Sequence, residues 1–206
     1  RAAKGRILRS SPEKTGQTTR EGHHMPNAAI IGWGKCLPPN ILSNSDIATF
    51  IETNDEWITS RTGIRERRIA HTSLNDLFHV AGARALACAG LQGSDIDLIV
   101  IGSTTYDDQC PNVASSLQQR LGAEGCAAMD VNTACTSFLY ALSTATAMIR
   151  SGVVRTALVA GGELISPYMD WNDRNVAVLF GDGAAAVVLQ ATDRDEGLQI
   201  EKLGCY

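Results

Sequence analysis

The 206-residue sequence contains no apolar run long enough to cross a bilayer, which excludes a transmembrane helix. It has no excess of cations. Eighteen Lys and Arg against 22 Asp and Glu leave a formal charge of −4, so a nucleic-acid-binding surface is not indicated. No C-x-x-C pair occurs among Cys36, Cys88, Cys110, Cys126, Cys135 and Cys205, and His23, His24, His71 and His79 are not spaced to complete a zinc site. Internal repeats and a secretory signal are also lacking. Scattered cysteines in such a chain read as reduced thiols of a cytosol-like compartment, most of them acting as small buried hydrophobes. What is present, 44% hydrophobic and 19% charged residues, is the make-up of an ordinary soluble globular protein with room for one substantial core or two small ones.

Charge divides the chain unevenly. Residues 1–24 hold six Lys and Arg against Glu13 and Glu21, whereas the remaining 182 residues hold twelve basic and twenty acidic side chains. This Arg/Ser-rich stretch lacks apolar periodicity and is expected to be a disordered leader. It is either upstream sequence before a start at Met25 or an organelle transit peptide for a plastid or mitochondrion.

From Asn27 the pattern becomes regular. Ala28–Trp33 reads as a strand ended by Gly34 and Pro38-Pro39, and Ser43–Ile51 as a capped helix. Apolar residues at 74, 77, 78, 81, 85 and 86 share one helix face within Leu74–Leu91. Asp97–Gly102 is a continuous apolar strand of the buried parallel type. Helix Pro111–Leu121, strand Ala127–Val131, helix Thr136–Arg150 and strand Ala157–Ala160 follow. Val176–Phe180 and Ala184–Gln190 then flank Gly181-Asp182-Gly183 as a hairpin. This alternation predicts α/β layers around a mostly parallel sheet. Leu198–Leu203 reads as the opening of a further strand, so the chain looks cut and the physiological protein is expected to be longer.

Cys135 follows a strand and precedes a helix of small and apolar residues. Unpaired N–H groups and the macrodipole at a helix start favour a thiolate, and small neighbours (Thr133, Ala134, Thr136, Ser137) leave a substrate room to approach. The same N–H groups suit the oxyanion of an acyl thioester transferred to the sulfur. On these residues alone, a nucleophile and a buried helix-start cysteine both remain open.

Three segments carry a resemblance. Asp55-Glu56-Trp57-Ile58 with Arg61-Thr62-Gly63-Ile64-Arg65-Glu66-Arg67, the run Ala134–Leu142, and Phe180-Gly181-Asp182-Gly183-Ala184 resemble the signatures of β-ketoacyl-acyl carrier protein synthase III, in its order and at its spacing. The likeness runs from about Ala28 onward. It implies a layered thiolase-type α/β fold, of which residues 25–206 would form the first βαβαβαββ half and the opening strand of the second. It further implies a cytoplasmic homodimer that condenses an acyl-CoA primer with malonyl-acyl carrier protein, with loss of CO₂, to begin fatty-acid synthesis. No metal or cofactor is implied, the CoA thioester being a substrate.

By this resemblance Cys135 matches the acylated nucleophile. Trp57 and Arg174 match the two sides of an adenine sandwich, with Thr53 and Arg61 as further nucleotide contacts; indole and guanidinium planes suit stacking on a base. Ile165 and Phe180 match acyl-pocket positions. Cys110 stands where short-chain members carry a bulky aromatic that reaches into the partner's pocket, so primers longer than acetyl are expected to be accepted. Ser137 stands where Gly is common. The His and Asn that drive decarboxylation are expected beyond Tyr206, since His71 and His79 precede the nucleophile. Alternatives are a related quinolone-, polyketide- or hydroxymethylglutaryl-type synthase, a non-catalytic half completed by a partner chain, or an acyl-CoA-binding module with an inert Cys135.

Overall fold

The computed structural model describes residues 25–201. The expected leader over residues 1–24, Cys205 and the end of the strand expected over Leu198–Leu203 lie outside the described residues. In chain order the elements are β1 (Asn27–Cys36), β2 (Asn40–Ser43), α1 (Asn44–Ile47), α2 (Asp55–Thr62), β3 (Glu66–Ile69), α3 (Leu74–Ala89) and β4 (Leu98–Gly102). They continue as α4 (Val113–Leu121), β5 (Ala127–Val131), α5 (Ser137–Arg150), β6 (Thr156–Glu163), α6 (Arg174–Ala177) and β7 (Gly183–Thr192).

Five strands form one mixed sheet in the order β1-β7-β6-β4-β5. The β4–β5 and β4–β6 pairs are parallel, and β7 is antiparallel to both β6 and β1. β4 is buried along its whole length, as its unbroken apolar run requires. Helices α3 and α4 cover one face, with Leu74, Leu77, Phe78, Ala81 and Ala85 packed on Ile99, Ile101 and Leu158. Helix α5 covers the other, with Ala141, Ala145 and Ile149 against Leu98, Val100 and Val159. Each fully buried side chain of the size of Phe78 or Ile149 contributes about 1.5–3 kcal/mol. Read through the large sheet, the order β1-α3-β4-α4-β5-α5-β6-β7 is the expected βαβαβαββ half.

Local sequence explains the boundaries. Ser73 and Asp76 close a capping box at the start of α3, and Gly90 ends the helix in the left-handed conformation. Asn112 caps α4, which therefore begins two residues after the expected Pro111. β1 runs on to Cys36 because its Gly32 and Gly34 let α3 lie directly against the strand.

Several expectations are corrected. Val176–Phe180 is no strand, and Gly181-Asp182-Gly183 is no hairpin turn. Arg174–Ala177 is a short helix, and β7 pairs with β6 across a long connection instead. An apolar β-branched run imitates a strand, but here Asp173 caps a helical turn. The helix expected over Ser43–Ile51 is regular only across Asn44–Ile47. The sequence reading assigns no element to Asp55–Thr62 or to the two-stranded β2–β3 sheet, both of which form between β1 and α3. Of the expected strand at 198, Leu198 forms an isolated bridge to Ala28. The cysteines depart from the expected burial as well. Cys88, Cys110 and Cys135 are exposed, Cys36 and Cys126 are half-buried, and all five are free thiols. No helix among the described residues is long and apolar enough to cross a membrane.

Candidate active site

Cys135 projects from a tight turn between β5 and α5. Ala134, immediately before it, has φ of +54°, a left-handed conformation that costs a non-glycine residue about 1 kcal/mol or more. Hydrogen bonds on both sides of the sulfur hold the turn. The N–H of Ser137 donates to the Ala134 carbonyl at 3.0 Å, and that of Thr136 to the Thr133 carbonyl at 3.3 Å. The buried Ser137 hydroxyl adds a brace: it accepts from the Thr133 N–H at 2.9 Å and donates to the Ala134 carbonyl at 2.7 Å. Ser137 therefore fastens the turn that presents Cys135.

The start of α5 lies tight against the end of β4. A Cβ added to Gly102 would fall 2.5 Å from the carbonyl carbon of Ser137, so only glycine permits this approach. Beyond Cys135 opens a cavity of about 430 Å³, lined by Phe138, Gly161, Gly162, Glu163, Ile165 and Phe180 among others. Both expected acyl-pocket residues thus meet the expected nucleophile. Cys110 is not among the lining residues of this cavity.

Two carboxylates give the cavity its shape, and the sequence reading names neither as a site residue. Glu163, on the wall, accepts from the Thr104 N–H at 2.9 Å and from the hydroxyls of Ser103, Thr104 and Thr105 at 3.2, 3.0 and 2.5 Å. Asp182, only 5% exposed, accepts from the N–H groups of Ile165 and Ser166 at 2.9 Å each, from the Ser166 hydroxyl at 2.7 Å, and from the Ala70 N–H at 2.7 Å. The signal for Asp182 was its place inside the Gly-Asp-Gly motif. For Glu163, the run Gly161-Gly162-Glu163 at a strand end was the available hint. Upstream of the turn, Asp130 accepts from the Val113 and Ala114 N–H groups and so anchors α4, while burial pushes its carboxyl above the usual range.

The other expected residues form a second cluster. Asn54 caps α2 and Gly63 closes it with φ of +73°, which fixes Trp57 and Arg61 one turn apart. The Arg61 guanidinium carbon lies 4.5 Å from the Trp57 ring centroid, and that of Arg174, on α6, lies 3.7 Å away. Trp57, Arg61 and Arg174 thus converge, stacked by cation–π attraction. Thr53 Oγ1 and Arg174 Nε are buried and unpartnered, two polar atoms of the expected nucleotide set left with hydrogen-bonding capacity to spare. His71 is exposed and His79 lies within α3, and neither lines the cavity.

A half-sheet of this topology, with a cysteine on a strained turn at the start of the helix that crosses one face, is a thiolase-type α/β arrangement. Residues 129–205 match the family model of 3-oxoacyl-[acyl-carrier-protein (ACP)] synthase III. The beta-ketoacyl-[acyl-carrier-protein] synthase III 2 of Vibrio cholerae is 53% identical over 178 residues, covering 86% of this chain and 49% of that protein. The synthase III of Neisseria meningitidis is 51% identical over 172 residues, covering 82% of this chain and 54% of its own. Among solved structures, 3-oxoacyl-[acyl-carrier-protein] synthase III from Aquifex aeolicus superposes with a TM-score of 0.80 at 42% identity, over 81% of this chain and 55% of that one. The chain belongs to the β-ketoacyl-[acyl-carrier-protein] synthase III family, and it spans about half the length of the curated relatives it matches.

Proposed function

We propose that this chain carries the primer-accepting part of a β-ketoacyl-[acyl-carrier-protein] synthase III. The Cys135 thiolate attacks the carbonyl carbon of an acyl-CoA; the bond from that carbon to the CoA sulfur breaks, CoA leaves as its thiolate and takes up a proton from solvent, and the acyl group stays on Cys135. Malonyl-acyl carrier protein then loses CO₂, and the carbanion so formed attacks the acyl carbonyl. The products are a β-ketoacyl-acyl carrier protein and the free Cys135 thiolate.

The observation that carries this reading is the exposed Cys135, presented by a left-handed Ala134 at a cavity lined by Ile165 and Phe180. An apolar pocket beside a nucleophile suits the tail of an acyl chain. The Trp57–Arg174 pair takes the nucleotide. Opening that contact by one aromatic thickness, about 3.5 Å, admits a purine between indole and guanidinium, with Arg61 and Thr53 as further contacts. The enzyme works in the cytoplasm without a cofactor. A second copy pairs with the β5 edge of the sheet, and Cys110 leaves space for longer primers in the pocket of that copy.

Intact-mass analysis after incubation with acetyl-, butyryl- and octanoyl-CoA tests the reading. One acyl adduct is expected, mapped to the Cys135 peptide and absent from Cys135→Ala. Absence of an adduct with every thioester overturns the function. Octanoyl-CoA performing no better than acetyl-CoA overturns the Cys110 assignment alone.

A further inference from the structure

Arg67 is 6% exposed, yet its guanidinium faces neutral oxygens. Nη1 donates to Asn44 Oδ1 at 2.9 Å and to the Leu42 carbonyl at 3.3 Å, and Nη2 donates to the Val178 carbonyl at 2.7 Å. Its Nε is buried without a partner. Burial pushes the guanidinium pKa down, the mark of a cation kept in a poorly solvating place. An apolar side chain of similar volume would often serve stability as well, so the planar fork is the property that distinguishes arginine here.

What the fork joins is specific. Asn44, 1% exposed, passes the link onward: its Nδ2 donates to Asp55 Oδ1 at 2.8 Å and to the Ile64 carbonyl at 2.8 Å. Asp55 opens α2, which carries Trp57 and Arg61. Val178 ends α6, which opens with Arg174. Val178 also packs with Ile47 and Ile58 in a small core against which Trp57 rests. On its other side, a Cβ at Gly181 would lie 2.9 Å from the Arg67 Cβ, so β3 runs directly under the segment that brings Phe180 to the cavity.

We propose that Arg67 is the positioning residue that sets the spacing between Trp57 and Arg174, and thereby the affinity for the nucleotide part of a CoA thioester, without touching the ligand. This rests on the nucleotide reading given above. Lysine keeps the charge but presents one ammonium, which cannot span Asn44 and Val178 together.

The test compares S-acylation of the protein by acetyl-CoA and by S-acetylpantetheine, which lacks the nucleotide. Arg67→Lys is expected to lower the preference for acetyl-CoA over S-acetylpantetheine about tenfold, chiefly through KM. Asn44→Ser, which cuts the bridge from its other end, is expected to do the same. In a Trp57→Ala background, where the stack is already gone, Arg67→Lys is expected to add nothing to the loss of preference. An equal fall with both thioesters, no change with either, full additivity with Trp57→Ala, or loss of folded protein for both bridge variants overturns the proposal. A wild-type protein that is acylated but shows no preference for acetyl-CoA overturns the nucleotide reading itself, and the role of Arg67 falls with it.

Discussion

The Asp182 carboxylate receives the backbone N–H of Ile165 at 2.9 Å, and the same carboxylate receives that of Ala70 at 2.7 Å. One buried acid therefore ties a wall of the cavity beside Cys135 to the end of β3. Asp182→Ala leaves these N–H groups and the Ser166 N–H without their acceptor, at an expected cost of about 3 kcal/mol. Asp182→Asn keeps one carbonyl oxygen and is expected to lose less. Urea midpoints of the two variants check the order.

Gly102→Ala is expected to separate the end of β4 from the start of α5. The new methyl would sit 2.5 Å from the Ser137 carbonyl carbon and 2.7 Å from the Phe138 nitrogen, both backbone atoms unable to swing aside. A loss of about 2 kcal/mol in stability is expected from such overpacking. Because Cys135 rides on the displaced turn, its acylation rate should fall by about tenfold or more as well. Thermal unfolding and adduct formation, followed on one sample, measure the two effects.

Asp76 supports α3 in a pH-dependent way. Its contacts with Arg120 at 2.6 Å and with Ser73 hold its carboxyl below the ordinary range. A carboxyl with a depressed folded-state pKa adds stability that is complete above its unfolded value of about 3.9 and is lost as pH falls through the folded value. Asp76→Asn should thus cost about 1 kcal/mol at pH 7 and almost nothing near pH 2, the pair being partly exposed. Denaturant unfolding at the two pH values decides it.

The thiols should separate by rate of alkylation. Burial pushes the Cys36 and Cys126 thiols up, which reduces their thiolate fraction at neutral pH. With iodoacetamide at pH 7.5, peptides containing these two cysteines are expected to label more slowly than the one containing the exposed Cys88. Quantitative peptide mass spectrometry gives the ratio.

The large sheet and its helices were legible because α3, β4 and α5 carry strong local patterns that agree with their burial. The stretch from Asn40 to Ile69 was less legible. Its strand Glu66–Ile69 is mostly charged, and the burial of Arg67 follows from partners as distant as Val178. The caps at Asn54 and Gly63 were nevertheless visible signals of α2. Val176–Phe180 misled for a related reason: its Val178 packs on Ile47 and Ile58 and its Phe180 lines the cavity, with no ladder of strand partners. At the site, Cys135, Ile165, Phe180, Trp57, Arg61 and Arg174 were nameable from motifs. Glu163 acquires its role through hydrogen bonds to Ser103, Thr104 and Thr105, distant in sequence, whereas the Ser137 brace to Thr133 and Ala134 is local but depends on the turn geometry.

The sheet also orders events during synthesis. Among the described residues β1 finds its strand ladder on β7, Asn27 opposite Thr192 and Cys36 opposite Ala184, so it has no ladder partner until β7 has been made. At about 5–20 residues per second, the ribosome needs roughly 10–30 s to travel between them. Throughout that interval a ten-residue strand bearing Ile30, Ile31 and Trp33 stands without its ladder. Closure of so long a loop places this fold among slow folders and makes β1 the segment most in need of shelter before release.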